Sequence, residues 1–588
     1  MVFISKTSKI VKCKKTREGK MLKAILDGVD ILYLYKNELL IFIVVAYGLG
    51  KIVPMTNDLY SVNKLLSALS TLPTGFTILS GAAFVFSFTT LISPAVFTFS
   101  SLLLTGISLL SLVYHFQKGE VGSNWLNILL ITLFFFISLL LRLPYLNHIL
   151  LPSYTDSPIH YQLIKNILEP TSPSPLMGIG NITNNYYHLG FHSMTAWLSA
   201  VTHTDPAKAM LFIGLLGLAT APISIAFITY ILSRNISGAL ASGFVTVFGW
   251  TMPAFALNWG KFPALLALSL IPTVIGWGLL LLRSSKISIL KIFFLSFMML
   301  SIVVLHTRSI FILTSIAFAF FIANKLVSSD LLSYQKSFLY SVLFIFSLLP
   351  LESTIAVFYN RLILGIVIIL LMPFGFRYYP KELSAIFIFT ASIWLFEFLG
   401  KSLSMNKIAY DAQFIGMMLF IPFSVISGLG ISGITKQFSI KNSFVIIGIF
   451  LLSASYNSPW NSSNFPDPCC DFYSRADEQA FQWIKNNTKE EALWVISVAE
   501  NDRQHGTDAG IWINSLTNRR VNKRMYNTDW ENKTEFPHSC NSGTSDIYIY
   551  SGGGIFSFNE TDLLKLNWAN MVYDNQSVKI YKILNCLN

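Results

Sequence analysis

Runs of hydrophobic residues separated by short polar segments fill most of the chain. A helix needs about 20 apolar residues to cross a hydrocarbon core of ~30 Å, and only a helix satisfies its own backbone polar groups there. The runs therefore predict an α-helical multi-pass membrane protein of about 12–14 spans. They lie at 38–55, 75–92, 95–116, 124–143, 207–233, 238–257, 264–283, 292–306, 309–324, 338–350, 361–376, 383–400, 413–431 and 442–456.

Two polar regions interrupt this pattern and suggest a division of the chain. After residue 457, helical spacing over 476–487 and strand-like stretches near 493–499, 546–551 and 578–584 predict a small α/β domain. The predicted parts are a basic N-terminal segment (1–37), N-terminal transmembrane helices (38–143), a polar loop with interfacial helices (144–206), a helix bundle (207–456) and the α/β domain (457–588).

Composition supports a membrane protein. Hydrophobic residues make up 53% of the 588 residues, the mean hydropathy is +0.57, and 12% of residues are charged, whereas soluble domains carry about 25%. The net charge of +12 comes largely from the N-terminus and from short loops. No basic patch is interleaved with aromatic residues, so we expect membrane lipids and no nucleic acid as partners.

The distribution of lysine and arginine predicts the orientation. If the 144–206 loop lies outside, most loop cations lie inside, as the positive-inside rule requires. This arrangement also places the C-terminal domain outside the cell membrane. A cytoplasmic N-terminal segment then requires that one of the first four runs does not span, and 38–55, interrupted by Lys51, is the weakest. The inside cations are Arg234, Arg283, Lys286, Lys291, Lys325, Lys336, Arg377, Lys381, Lys436 and Lys441, and the outside ones are Lys261, Arg308, Arg361, Lys401 and Lys407.

Four of the five cysteines lie in the C-terminal region. An even set in a polar domain indicates two disulfides and an oxidising compartment. A bond between adjacent residues would be strained, so we expect Cys469 and Cys470 to bond to Cys540 and Cys586 in either order. The alternative is four free thiols in a reducing compartment.

The loop carries the residues best suited to chemistry. Asp156 and His160 are four residues apart, Pro158 suits a first helical turn, and a helix N-terminus favours a charged carboxylate. Such a carboxylate can act as a general base. The alternative is a helix-capping aspartate in an exposed loop.

His188 and His192 have the same spacing. Together with Asp156 and His160 they could hold a divalent metal ion, while hydrogen bonding to substrate and interfacial packing are the alternatives. The segment 189–203 is short and mixed, which predicts an interfacial helix whose Phe191, Trp197 and Leu198 face lipid.

Two further segments place cations at outer helix ends, namely Asn258-Trp259-Gly260-Lys261-Phe262-Pro263 and His306-Thr307-Arg308. Lys261 and Arg308 oppose the charge rule there, so an anionic ligand such as a lipid phosphate would account for them. Ordinary extension of the side chains to lipid headgroups is the alternative.

Taken in order, the loop with Asp156 and His160, the motif YYHLGFH (186–192), the short helix, Asp205-Pro206, ADEQAFQWIKNNT and GIWINSLTNRRV resemble the GT-C superfamily of polytopic glycosyltransferases, in particular its prokaryotic members. The resemblance implies a transferase that moves a sugar from a polyprenyl-phosphate carrier to a glycan, lipid or protein acceptor at the outer membrane face, usually with inversion. It also implies that an aspartate of the first outer loop, here Asp156, serves as base or metal ligand. The WWDYG motif of oligosaccharyltransferases is absent.

Two other functions are compatible with the pattern. A transporter or flippase of lipid-linked glycans would place polar groups near the middle of the membrane on broken helices. A non-catalytic scaffold would only present the C-terminal domain.

Overall fold

The computed structural model describes residues 21–118, 125–169, 188–284, 287–327, 358–402, 412–456, 465–467, 470–499, 502–530, 546–554 and 557–584. Long helices form the body of the protein, and a six-stranded sheet forms a small C-terminal domain. The predicted class, a multi-pass helical protein with an α/β domain, agrees with this architecture.

Most of the long helices coincide with hydrophobic runs, whereas Met21–Leu34 lies in the predicted basic segment and the run 338–350 lies outside the described residues. The helices are α1 Met21–Leu34, α2 Lys36–Ile52, α3 Pro54–Val62, α4 Lys64–Ser87, α5 Pro94–Gln117, α6 Trp125–Leu140, α7 Pro144–His148, α8 Ser157–Leu168, α9 Gly190–Thr202, α10 Pro206–Ser233, α11 Ile236–Phe248, α12 Phe262–Arg283, α13 Ile289–Leu305, α14 Ser309–Val327, α15 Leu362–Tyr378, α16 Pro380–Ser402, α17 Ala412–Met418, α18 Phe420–Gln437 and α19 Ile440–Ser455.

Within the described residues, seven helical segments are long and apolar enough to cross a membrane, fewer than the 12–14 predicted. Four shorter apolar helices, of 10–17 residues, accompany them. The seven are Lys64–Thr90, Pro94–Gln117, Ile131–His148, Pro206–Ser233, Phe262–Arg283, Ser309–Val327 and Gln413–Gln437.

Contacts between helix ends define two ends of the bundle. At the loop end, which carries α8, Thr204 before α10 donates a hydrogen bond to Glu38 of α2 (2.6 Å). At the opposite end, Asn63 before α4 donates to Tyr230 near the end of α10 (2.9 Å). Helix α2 therefore runs from the loop end towards the opposite end, and Lys51 near its C-terminus is only 2% exposed.

The position of α1 bears on the N-terminal segment. A Cβ added to Gly28 of α1 would meet the backbone of Leu140 at the end of α6, so α1 lies at the loop end of the bundle. Helix α2 is not among the described segments that are long and apolar enough to cross a membrane, in line with the weakness of the 38–55 run. The side of the membrane on which segment 1–37 lies stays a prediction. Residues 1–20 lie outside the described part of the chain.

Arg361, one of the cations that opposes the charge rule, caps helices at the loop end. Its guanidinium donates to the carbonyls of Phe248 and Gly249 at the end of α11 (3.4 and 3.3 Å) and to those of Ser453 and Ala454 at the end of α19 (3.3 and 3.1 Å). Helix C-termini carry unsatisfied carbonyls and partial negative charge, so a cation is favourable there. No anionic ligand is needed to account for Arg361.

The C-terminal domain combines a capped helix with a mixed sheet. Helix α20, Arg475–Asn487, begins with a capping box of Ser474 and Asp477. The strand order is β2-β1-β4-β6-β5, and β3 also pairs with β1; β1 is parallel to β3 and β4. The helix and three strands predicted from the sequence are present. The remaining elements are β1 Leu493–Ala499, β2 Asp502–Gly506, α21 Ile513–Thr517, β3 Arg520–Met525, β4 Ile547–Ser551, α22 Glu560–Leu564, β5 Ala569–Asp574 and β6 Lys579–Ile583.

The domain packs on the loop end of the bundle. The Tyr154 amide donates to the Cys470 carbonyl (2.8 Å), and Ser515 Oγ donates to the Pro158 carbonyl (3.1 Å). The rings of Tyr161 and Trp512 meet edge to face with centroids 5.7 Å apart. The loop and the domain therefore share one end, as the charge pattern predicts for them.

Cys470 is disulfide-bonded. Cys469, Cys540 and Cys586 lie outside the described residues, so the pairing itself stays a prediction. A disulfide in this region agrees with an oxidising compartment.

We expect single cysteines introduced at Glu169 in the loop and at Thr561 in the domain to react with an impermeant maleimide from the same side, and one at Lys441 from the other. All three side chains are exposed, and Lys441 lies at the opposite end of the bundle. Labelling of intact cells, with lysed cells as the control for reactivity, measures this. Opposite sidedness of positions 169 and 561 would contradict the packing of the domain on the loop.

Candidate functional site

Asp156 lies immediately before α8, whose first turn contains Pro158. Its side chain makes no capping hydrogen bond to the helix. Instead its carboxylate forms an ion pair with the Lys261 ammonium, and the two side chains are only 20% and 27% exposed. The capping alternative is therefore wrong, and the structure brings together two residues that the sequence analysis had assigned to separate roles.

A close backbone approach makes this ion pair possible. Gly260 has a φ of +59°, and a Cβ at this position would lie 2.6 Å from Ser157 Oγ and 2.9 Å from the Ser153 carbonyl. Only glycine tolerates both the left-handed backbone and the contact. The segment before α12 thus lies directly against the segment before α8, with Lys261 beside Asp156.

His160 and His192 form a buried pair behind the ion pair. His160 Nδ1 and His192 Nε2 are 2.9 Å apart, and the side chains are 2% and 0% exposed. Burial lowers the pKa of His160 to about 4; the neighbouring Asp156 opposes this shift and Lys261 adds to it. His160 is therefore neutral at physiological pH, and one imidazole donates a hydrogen bond to the other.

Helix α9, which carries His192, is buried inside the protein. Phe191, Trp197 and Leu198, which were expected to face lipid, are 0%, 1% and 0% exposed. The prediction of an interfacial helix is wrong because α4, α8 and α10 surround α9, so its apolar residues pack against protein on all sides. Its mixed sequence reflects buried serine and threonine hydroxyls, which can bond to the backbone, as Thr195 does to Phe191.

His188 does not share a helical face with His192, because α9 begins only at Gly190. A Cβ at Gly190 would lie 2.9 Å from backbone atoms of Val304 and Leu305, so glycine lets the start of α9 contact the end of α13. This contact places His188 next to His306, with ring centroids 4.6 Å apart. The four-residue spacing of His188 and His192 therefore does not place them on one helical face.

A second group of side chains surrounds His188. His306 stacks on Phe414 with centroids 5.0 Å apart, and the Arg308 guanidinium lies 5.6 Å from the same ring. Burial, followed by the nearby His160 and Arg308, lowers the pKa of His188 to about 3. His306 and Phe414 were missed as site residues; the short motif His306-Thr307-Arg308 was the only signal, and Phe414 had none.

The possibility of a metal ion can be tested against these contacts. Asp156 is paired with Lys261, and His160 faces His192 through a hydrogen bond. Among the residues that the structure describes, no group of three or more histidine, cysteine or acidic side chains could hold a metal ion. The four predicted ligands thus do not form a metal site here.

A comparison with protein families matches residues 64–379, more than half of the chain, to a family of unknown function. The chain belongs to the DUF6541 family. A search of curated proteins gives no match. The region shared with the DUF6541 family contains the ion pair and His160, His188, His192 and His306, whereas Phe414 and the C-terminal domain lie beyond it.

The low pKa of His160 predicts how the stability of this DUF6541 protein depends on pH. The His160 imidazole takes up a proton near pH 6.5 in the unfolded chain but only near pH 4 in the folded protein. Its contribution to the free energy of unfolding is therefore fully present above pH 6.5 and is lost as the pH falls towards 4. For one such group the loss is at most about 3 kcal/mol. His160→Gln should therefore reduce the pH dependence of stability between pH 6.5 and 4.

Unfolding of the detergent-solubilised protein, followed by intrinsic fluorescence at a series of pH values, measures this dependence. His203→Asn is the matched control, because His203 is exposed and has the left-handed backbone that asparagine tolerates. Equal pH slopes for the wild type and His160→Gln would contradict the assignment of a buried neutral imidazole.

Proposed function

We propose that this DUF6541 protein is a membrane glycosyltransferase that moves a sugar from a polyprenyl-phosphate donor to a glycan, lipid or protein acceptor at the outer membrane face. The observation that carries the proposal is the ion pair of Asp156 and Lys261. It joins a candidate base to a candidate phosphate ligand at one end of a helix bundle, beneath a separate domain.

The pair supplies the two groups that transfer requires. A donor phosphate near Lys261 competes with the Asp156 carboxylate for the ammonium, and the carboxylate is then available to the acceptor. Asp156 takes the proton of the acceptor hydroxyl while the hydroxyl oxygen attacks the anomeric carbon of the donor sugar. The bond from that carbon to the phosphate oxygen breaks, and the polyprenyl phosphate leaves as an anion beside Lys261, with inversion at the anomeric carbon.

The histidines suit a supporting role. His160 lies one helical turn after Asp156 and is neutral. It can therefore accept or donate a hydrogen bond without adding charge next to the carboxylate. His188 and Arg308 are proposed to contact substrate, with Arg308 held near the face of Phe414. His192, which is 0% exposed and hydrogen-bonded to His160, is proposed to orient that imidazole instead. No step needs a metal ion.

The runner-up is a transporter or flippase for lipid-linked glycans. In that case we would expect polar groups on broken helices near the middle of the bundle. The ion pair and His188 instead lie in the segments before α8, α9 and α12. This placement favours an enzyme, and the same cluster of titratable groups has no purpose in a scaffold.

Asp156→Asn keeps the shape of the side chain but removes its charge, so it should lower the transfer rate by about two orders of magnitude or more, the range of a positioned general base. Donor binding should persist, because Lys261 loses its carboxylate partner and remains available to phosphate. The measurement is transfer from polyprenyl-phosphate sugars by purified protein in liposomes. Near-normal turnover of Asp156→Asn would remove the aspartate from the mechanism.

Lys261→Gln and Arg308→Gln should raise the KM for the donor more than they lower kcat, if the phosphate is held equally in the ground and transition states. Lys208→Gln is the matched control, since Lys208 lies at the same end and donates to the Ile149 carbonyl (2.9 Å). Unchanged donor KM values in both variants would contradict phosphate binding by Lys261 and Arg308. They would favour the alternative, in which both side chains extend to lipid headgroups.

A further inference from the structure

A polar network connects the loop, the segment before α12 and the start of the C-terminal domain. The Tyr145 hydroxyl donates to Asn258 Oδ1 (3.1 Å) and lies 2.9 Å from Ser153 Oγ. The backbone amide of Asp467 donates to the same Asn258 oxygen (2.9 Å). Because an amide N–H can only donate, the orientation of the Asn258 side chain is fixed, and its Nδ2 must point away from these donors.

Two polar atoms of this region are buried without a protein partner. Asn258 is 0% exposed, and its Nδ2 has no acceptor within the described part of the chain. Asp471 Oδ1 is likewise buried without a donor among the described residues. An unsatisfied buried donor or acceptor costs about 1–3 kcal/mol, so such atoms call for a partner.

Both atoms belong to the same neighbourhood. Asp467, whose amide bonds to Asn258, also accepts a hydrogen bond from the Asp471 amide at its carbonyl (3.1 Å). The Asp471 carboxylate interacts electrostatically with Tyr145, the other partner of Asn258. The donor and the acceptor therefore flank one network, at the junction between the bundle and the C-terminal domain.

The site adjoins the proposed reaction centre. Ser153 belongs to the network, and its carbonyl faces Gly260, the residue that brings Lys261 to Asp156. Tyr154, the next residue, has a positive φ of 71° and bonds to the Cys470 carbonyl beside Asp471. A ligand bound between Asn258 and Asp471 would thus lie within a few residues of the ion pair on both segments.

We propose that Asn258 and Asp471 form a subsite for the hydroxyl groups of a sugar, with Asn258 Nδ2 donating to one hydroxyl oxygen and Asp471 Oδ1 accepting from a hydroxyl proton. A sugar hydroxyl is both donor and acceptor, so a polyhydroxylated ring suits a site with one buried donor and one buried acceptor around a shared polar network. As a role in transfer, the subsite rests on the proposed function; as a binding site, it stands on the geometry alone.

Two near-isosteric variants test the subsite. In Asp471→Asn, the Tyr473 amide that now bonds to the carboxylate holds the remaining oxygen, so an NH2 group takes the place of the acceptor. In Asn258→Asp, the Tyr145 and Asp467 donors keep one oxygen in place, and a second oxygen replaces the donor. Asp205→Asn is the control, because Asp205 caps α10 at the same end and asparagine caps equally well.

The probes are the methyl glycosides of glucose, galactose, mannose and N-acetylglucosamine, with binding to the solubilised full-length protein followed by saturation-transfer NMR. We expect at least one probe to bind the wild type and Asp205→Asn, and each subsite variant to weaken that binding about 10-fold or more. Binding by none of the four probes, or equal binding by the variants, overturns the proposal. If only a water molecule occupies the site, the variants bind the glycosides as the wild type does but differ from it in thermal stability, and the proposal is overturned.

The transfer assay separates this inference from the proposed function. If the wild type transfers sugar and both variants keep its donor and acceptor KM, the subsite is wrong and the glycosyltransferase stands. If no transfer is found but glycoside binding is lost in the variants, the subsite stands and the transferase fails. Size-exclusion profiles of the variants that match the wild type exclude misfolding as the cause of either loss.

Discussion

The ion pair between Asp156 and Lys261 ties together two segments that are 105 residues apart in the chain. Partly buried charges are costly unless they are paired, so the pair requires both segments to hold their places. Gly260 provides the close backbone approach, and Pro158 begins α8 at the right residue. The positions of His160 and His192 follow from this, because His160 is carried by α8 and contacts α9 through His192.

Burial next to a charged pair gives the site two electrostatic zones. Asp156 and Lys261 keep partial contact with solvent, whereas His160 and His192 are almost completely buried. An imidazole in such a place is neutral, and it can hold hydrogen bonds without competing for the cation. The charged pair and the neutral imidazoles therefore occupy adjacent but electrostatically different surroundings.

The sequence predicted what depends on composition and on local spacing. Hydrophobic runs identified most helices, and the i, i+4 spacing of Asp156 and His160 agrees with α8, whose backbone bond joins these residues. Sequence-based prediction was wrong where tertiary packing determines which residues are buried and which are in contact. The mixed residues of α9 predict an interfacial helix, but the surrounding helices bury it. Asp156 and Lys261, like His188 and His306, are far apart in the sequence. The local spacing of residues therefore cannot predict that they are in contact.

The boundary of the family match separates two parts of the site. Asp156, Lys261, Asn258 and the four histidines lie within residues 64–379, whereas Asp471, Ser515 and Trp512 belong to the C-terminal domain outside it. Trp512 and Ser515 contact α8 directly, so the domain also supports the helix that follows Asp156. If the proposed reaction belongs to the shared region, the domain contributes in two ways: it restrains α8, and it provides Asp471 to the proposed subsite. Under the proposed function, changes in the domain are expected to affect sugar binding before they affect the chemistry of transfer.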